Sequence, residues 1–230
     1  MKVVGLLSWY EEPASWLAEC VASAAKLCDH LIAVDGPYAL FPGSTRRPAS
    51  GSEQADTIAR TAAGAGIGCT IHVPRQPWWG GEVAKRDFMF RLAAPLTDAR
   101  DWLLRIDADE VLTTVPADSR EQLDATRLDV AEVTIWDRQD GSQHPFRCLF
   151  RALPGLAIEQ AHYVVTAPGA AGRRVLVGNS AVHVPEPAQA LWDVRLEHRT
   201  RQRSLERQQL KREYYAKVAD LGTEQTAAIT

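Results

Sequence analysis

The chain has 230 residues, 46% of them hydrophobic and 24% charged, which is enough apolar surface for a real core and excludes disordered or collagen-like architectures. Twenty-six Lys and Arg against 29 Asp and Glu leave a formal net charge of -3, so there is no global attraction to polyanions and any basic site must be local. Cys20, Cys28, Cys69 and Cys148 form no C-x-x-C pair, and no segment reaches the ~18 apolar residues of a membrane span, so the expectation is a reduced, cytoplasmic chain.

Residues 3–8 are a continuous apolar run, as in a strand covered on both faces, and Glu12-Pro13 opens a helix with Leu17, Val21, Ala24 and Cys28 as its buried stripe. A second strand at 31–34 ends in Asp35-Gly36 and completes a βαβ unit. Pro37, Pro42, Gly43, Pro48 and Gly51 make 37–52 a loop, followed by a helix at 53–63 and a strand at 69–73. Gly64, Gly66 and Gly68 imitate a dinucleotide fingerprint, but they separate a helix from the next strand, the reverse of the order a phosphate-cradling turn needs. A loop at 74–81 carries Trp78 and Trp79, a helix covers 82–94, and a strand at 102–106 runs into Asp107-Ala108-Asp109-Glu110.

This alternation predicts a mostly parallel, doubly wound α/β sheet whose ligands sit beyond the carboxyl ends of the strands, where Asp35 and Asp107 stand. After a short helix at 119–127 the pattern changes to strands at 130–136, 145–152, 162–166, 174–177 and 181–184, giving an antiparallel or mixed half. Residues 188–221 read as a long helix or a helix pair. On that helix Arg195, Arg199, Arg203, Arg207 and Lys211 recur at every fourth position as a basic stripe. Such a stripe suits acceptor phosphates, a nucleic-acid backbone or an anionic membrane surface, or else a solvated face balanced by Glu197, Glu206 and Glu213. Leu210, Tyr214, Val218 and Leu221 give the segment an apolar edge that packs on the domain or on a second subunit, as in a homodimer through the C-terminal helix.

Carboxylates at i and i+2 of an extended segment point the same way, so Asp107 and Asp109 could converge on Mg²⁺ or Mn²⁺; a solvated acidic turn is the alternative. The ordered set of Gly5 to Pro13 (GLLSWYEEP), LIAVDG at 31–36, Lys85-Arg86-Asp87 and WLLRIDADEVL at 102–112 resembles family 2 glycosyltransferases of the GT-A fold. Arg147-Cys148-Leu149-Phe150-Arg151, His162 and His183 extend the resemblance, over about residues 3–185, to the bacterial branch that includes lipopolysaccharide-core glucosyltransferases. Asp87 stands where that family often has Asn, and Tyr163 follows His162 where the branch often has Glu.

The resemblance implies a GT-A-like, Rossmann-like α/β/α mixed sheet with a C-terminal helical segment. Its catalytic domain would cover 1–187, with a nucleotide-sugar half at 1–112 and an acceptor half at 113–187, and 188–230 would be a basic helical extension of the same domain. Tyr10 and Glu12 would lie beside the nucleotide, Asp35 would accept a hydrogen bond from the base, and Lys85 and Arg86 would approach the base or diphosphate. Asp107 would face the ribose or a metal, and Asp109 and His183 would ligate Mn²⁺ or Mg²⁺. Trp78, Trp79, Glu110 and His162 would touch sugar or acceptor, although core packing serves the two tryptophans equally well. Inversion needs a carboxylate base, and Asp137, Asp140 and Glu159 are the candidates by position, Asp137 being preferred because it follows the strand ending at Trp136.

The implied activity is sugar transfer from a nucleotide-diphosphate sugar to a hydroxyl acceptor, whether saccharide, protein or hydroxylated DNA base, with Arg195, Arg199 and Arg203 as contacts to an anionic acceptor. A nucleotidyltransferase would instead carry a Gly-rich basic loop after its first strand, where this chain has Ser8 to Pro13. A non-catalytic binding module of the same fold is the third possibility.

Overall fold

The computed structural model describes residues 1–160, 164–178 and 185–227. Its first half alternates β1 (Val3–Ser8), α1 (Ala14–Ala24), β2 (His30–Val34), α2 (Ser52–Gly64), β3 (Gly68–His72), α3 (Gly81–Ala93) and β4 (Trp102–Asp107). β1 pairs in parallel with both β2 and β4, and β2 with β3, as right-handed crossovers through helices require. The strands are apolar on both faces because both faces are covered. Val3 and Leu7 enter the core beneath α1 and α2, while Val4 and Leu6 enter the core beneath α3. Each such side chain contributes roughly 1.5–3 kcal/mol of burial. Between them, Gly5 lets Leu31 of β2 and Cys28 of the α1–β2 connection pack close: a Cβ there would lie 2.8 Å from Leu31 Cδ1 and 3.2 Å from Cys28 Sγ.

The second half comprises β5 (Glu110–Thr114), α4 (Ser119–Ala125), β6 (Val130–Asp137), β7 (Gln143–Arg151), β8 (Ala157–Gln160), β9 (Val164–Gly169), β10 (Gly172–Val177), β11 (Gln189–His198) and α5 (Leu205–Ala227). The main sheet has eight strands in the order β3-β2-β1-β4-β7-β6-β11-β5, and β10-β9-β8 form a separate three-stranded sheet. β7 runs antiparallel to β4 and to β6, and β11 is parallel to β6. The carboxyl ends of β1, β2, β4, β6 and β11 therefore share one edge. The small sheet covers the face that α3 leaves open, through Ile158, Val165, Ala167 and Leu176. This is a mixed α/β fold, as the alternation predicts.

The largest departure from expectation lies at 188–221. Its first ten residues are β11, inserted between β6 and β5, and the helix starts only at Leu205. A register shift between Leu191 and Arg195 explains the misreading. The bulge turns alternation into a spacing of three between buried Leu191 and Val194, which imitates a helical stripe. The basic stripe accordingly breaks up: Arg195 is exposed on β11, Arg199 follows the strand, and Arg203 sits just before α5. α5 then packs on its own domain, with Tyr214, Leu210 and Val218 against Tyr10, Phe41 and Tyr38. β5 and β8 are two further strands that the sequence pattern missed, and the expected strand at 181–184 lies outside the described residues. No helix among the described residues is long and apolar enough to cross a membrane.

Candidate functional site

A pocket opens at the shared strand edge, lined by the ends of β1, β2 and β4, the first turns of α3, and α5. It brings together Tyr10, Glu12, Lys85, Arg86, Asp107, Asp109 and Arg203, seven of the site candidates drawn from sequence, with Glu82, Arg207, Lys211, Tyr214 and Tyr215. The cavity is about 120 Å³, below the ~300 Å³ of ordinary small-molecule pockets, and Arg207, Lys211, Tyr214 and Tyr215 of α5 form part of its lining.

The floor is the turn linking β4 to β5. Asp107, at the end of β4, takes two hydrogen bonds from Arg86 Nη2, at 2.8 Å and 3.0 Å, while Arg86 Nε donates to Glu82 at 2.9 Å, one helical turn earlier. Arg105 lies 3.6 Å from Asp107 and 3.9 Å from Glu110 and stacks on Phe146. Burial works against ionisation of Asp107, but the Arg86 and Arg105 guanidiniums outweigh it and hold its carboxyl well below the usual range. Glu110 turns inward beneath the turn, accepting the Asp107 backbone N–H at 2.8 Å. Its side chain is only 4% exposed, so it is part of the floor and not the sugar or acceptor contact expected of it. Burial pushes its pKa up to about 8, Arg105 offsets this only in part, and Asp107 and Asp109 add to the rise.

Asp109 is neutralised from the other side of the pocket. Arg203 Nη2 donates to Glu12 at 2.6 Å, and Arg203 Nη1 lies 3.3 Å from Asp109 Oδ2. His198 Nε2, at the end of β11, is 3.6 Å from the same oxygen, and the Arg199 N–H donates to the Asp109 carbonyl at 2.8 Å. Asp109 Oδ2 and Arg203 Nε are both buried without a hydrogen-bond partner among the described residues. Arg207 donates to the Tyr10 carbonyl at 2.6 Å, with its guanidinium over the rings of Tyr10 and Phe41. Lys211 donates to Thr200 Oγ1 at 3.3 Å.

Lys85 is a buried tie. Its ammonium donates to the carbonyls of Trp9 and Gly36, each at 2.8 Å, joining the ends of β1 and β2, and burial pushes its pKa down to about 7. Asp35 is turned into the loop after β2, accepting from the Gly36 N–H at 2.6 Å and from the Ser50 N–H and hydroxyl at 2.6 Å and 2.7 Å. That network satisfies the carboxylate within the protein instead of presenting it to a base. Gly36 has a φ of +100°, and a Cβ there would lie 2.5 Å from Pro74. Trp78 donates to the Asp35 carbonyl at 2.8 Å and packs on Phe88 and His72, so it braces the wall, while Trp79 is 66% exposed.

Of the base candidates, Asp137 ends β6 on the same sheet edge, beside His198 in the β6–β11 register. Asp140 lies in the turn between β6 and β7 and accepts the Ser142 N–H at 2.9 Å. Glu159 belongs to the small sheet, paired with Arg173 and with Thr166. Arg199 is held by Glu19 and Glu197, and Arg203 by Glu12, so both are already paired with carboxylates. His162 and His183 lie outside the described residues. Sequence reasoning did not place Glu82, His198, Tyr214 or Tyr215 here. The four-residue spacing of Arg203, Arg207 and Lys211 was visible, but nothing local said which part of the fold α5 would face.

A divalent cation such as Mg²⁺ or Mn²⁺ demands several oxygen ligands, with carboxylates free to turn toward it. Here both Asp107 oxygens are engaged by Arg86, and Asp109 and Glu12 share Arg203. The described residues gather no group of three or more His, Cys, Asp or Glu side chains able to hold a metal. This donor set, as folded, does not fit the ion. In comparisons with known proteins, no family model matches the chain and no curated protein matches it.

Proposed function

We propose that the protein is a glycosyltransferase of GT-A-like architecture that takes a sugar from a nucleotide-diphosphate donor to a hydroxyl acceptor. The observation that carries this reading is the pocket itself. At the carboxyl ends of three parallel strands, Tyr10, Glu12, Arg86, Asp107 and Asp109 converge from segments 3–13, 82–94 and 102–112, the same segments that carry the family resemblance. Arg86, tied to Glu82 and Asp107, fixes the pocket floor, while Arg207 and Lys211 add positive charge and Tyr10, Tyr38 and Tyr214 ring surface to the same lining.

In the transfer, the acceptor oxygen bonds to the anomeric carbon as the bond from that carbon to the diphosphate oxygen breaks. The bonding pair leaves with the diphosphate, and the hydroxyl proton passes to a carboxylate base. Asp137 suits that last role because it emerges on the same sheet edge, next to His198 in the β6–β11 register. The SWYEEP turn after β1, with no Gly-rich basic loop, speaks against nucleotidyl transfer. Mass-resolved transfer assays across nucleotide sugars and acceptors, including saccharides, proteins and hydroxymethylated DNA, test the proposal with Asp109→Ala as control. Transfer that Asp109→Ala lowers at least 100-fold is the expected outcome; folded protein inert with every pair would favour a non-catalytic binding module. Asp137→Asn retaining full turnover would move the base elsewhere.

A further inference from the structure

Resting on the donor-site reading above, we infer that the counter-charge for the donor diphosphate is carried by Arg203, Arg207 and Lys211, and not by a divalent cation held on Asp107 and Asp109. The argument starts from the charge lining the pocket. Five cations, Lys85, Arg86, Arg203, Arg207 and Lys211, face four carboxylates, Glu12, Glu82, Asp107 and Asp109. Arg86 is spent on Glu82 and Asp107, and Lys85 on two backbone carbonyls. The other three enter together from the start of α5, four residues apart, so they form one cationic wall opposite the floor.

That wall is short of negative charge. Lys211 makes no ion pair among the described residues, and its one hydrogen bond is the 3.3 Å contact to Thr200. Burial, with the nearby Arg203 charge, pushes its pKa down, although Asp109, Asp107 and Glu12 partly offset this from a distance. Arg207 has its guanidinium braced on two ring faces and lies 3.6 Å from Glu12, a carboxylate already held at 2.6 Å by Arg203. Arg203 has a side chain only 10% exposed and a buried Nε without a partner among the described residues. Guanidiniums and an ammonium held this way match phosphate oxygens in charge and donor count. On the opposite side, the carboxylates that a metal would use already share guanidiniums. A diphosphate entering the pocket would displace α5 side chains from its mouth and accept the hydrogen bonds that Arg203, Arg207 and Lys211 have to spare.

Calorimetry on the full chain with UDP, GDP, CDP, ADP and dTDP, in EDTA and in Mn²⁺, tests this. The expected result is that one of these diphosphates binds in EDTA with an affinity that Mn²⁺ changes less than about threefold. Arg207→Gln and Lys211→Gln should each weaken it by about tenfold or more, equivalent to roughly 1.4 kcal/mol. Lys211→Arg should restore most of the loss. Lys217→Gln, the same charge change at an exposed position on α5, should leave it unchanged. Binding that appears only with Mn²⁺, or that Arg207→Gln and Lys211→Gln leave intact in folded protein, overturns the inference while keeping the donor pocket. No binding of any diphosphate, with or without Mn²⁺, overturns the donor-site reading itself.

Discussion

Asp107 and Asp109 are two residues apart, yet their charges are balanced from opposite parts of the molecule. Asp107 is held by Arg86, 21 residues earlier on α3, and faces Arg105 of its own strand at 3.6 Å. Asp109 is met by Arg203, whose other partner, Glu12, is 191 residues away in sequence, and both carboxylates are only 4% exposed. The first pair is part of the floor and cannot open without disturbing β4 and α3. The second joins the residue stretch just before α5 to the turn after β1, where Arg207 and His198 stand 3.6 Å from the same carboxylates and can replace it. Two ion pairs of similar length thus differ in what their loss exposes.

Removing the floor cation should have the largest effect. Arg86→Ala leaves Glu82 and Asp107 without their shared guanidinium and should cost about 3–5 kcal/mol in urea denaturation. A loss below ~1 kcal/mol would show that water reaches the floor as easily as the mouth.

Glu110 tests the same seal through pH. Its folded pKa, about 8, lies above its ordinary 4.5, so its contribution to stability is full below pH 4.5 and is lost as pH rises through about 8. Glu110→Gln should remove that decline, so the wild-type protein should lose stability relative to the variant at up to ~1.4 kcal/mol per pH unit across this window. Parallel stability curves would mean that Glu110 is hydrated in solution.

The smallest change in stability should follow Arg203→Ala, about 1–2 kcal/mol, because Arg207, 3.6 Å from Glu12, and His198, 3.6 Å from Asp109, remain beside the two carboxylates. Hydrogen exchange should nevertheless quicken in α5 while β1 and β4 stay protected. Loss as large as for Arg86→Ala, with exchange quickened throughout the sheet, would make α5 an integral wall instead of a cover.

The parallel strands were legible because burial on both faces leaves no polar alternation: Val3 to Leu7 and Leu103 to Ile106 have no solvent side to encode. The edge position of Asp107 followed from the same pattern. Glu110 was misread because a carboxylate after a strand looks solvated in sequence, whereas the immediate return of the chain as β5 folds it under the turn. β11 was hidden by its bulge. Trp78 was undecided in sequence, and only the placement of Asp35, Phe88 and His72 assigned it to the wall.

By itself, then, the sequence determined the alternating α/β half, the edge on which a ligand would sit, and a set of charged residues near it, because these depend on local periodicity and on where strands end. Only the tertiary structure decided how those charges are paired. Whether Asp109 faces a guanidinium or open space depends on α5 arriving from the far end of the chain. That arrival is set by Tyr214, Leu210 and Val218 packing on Tyr10, Phe41 and Tyr38, contacts between segments too distant in the chain for any local pattern to record.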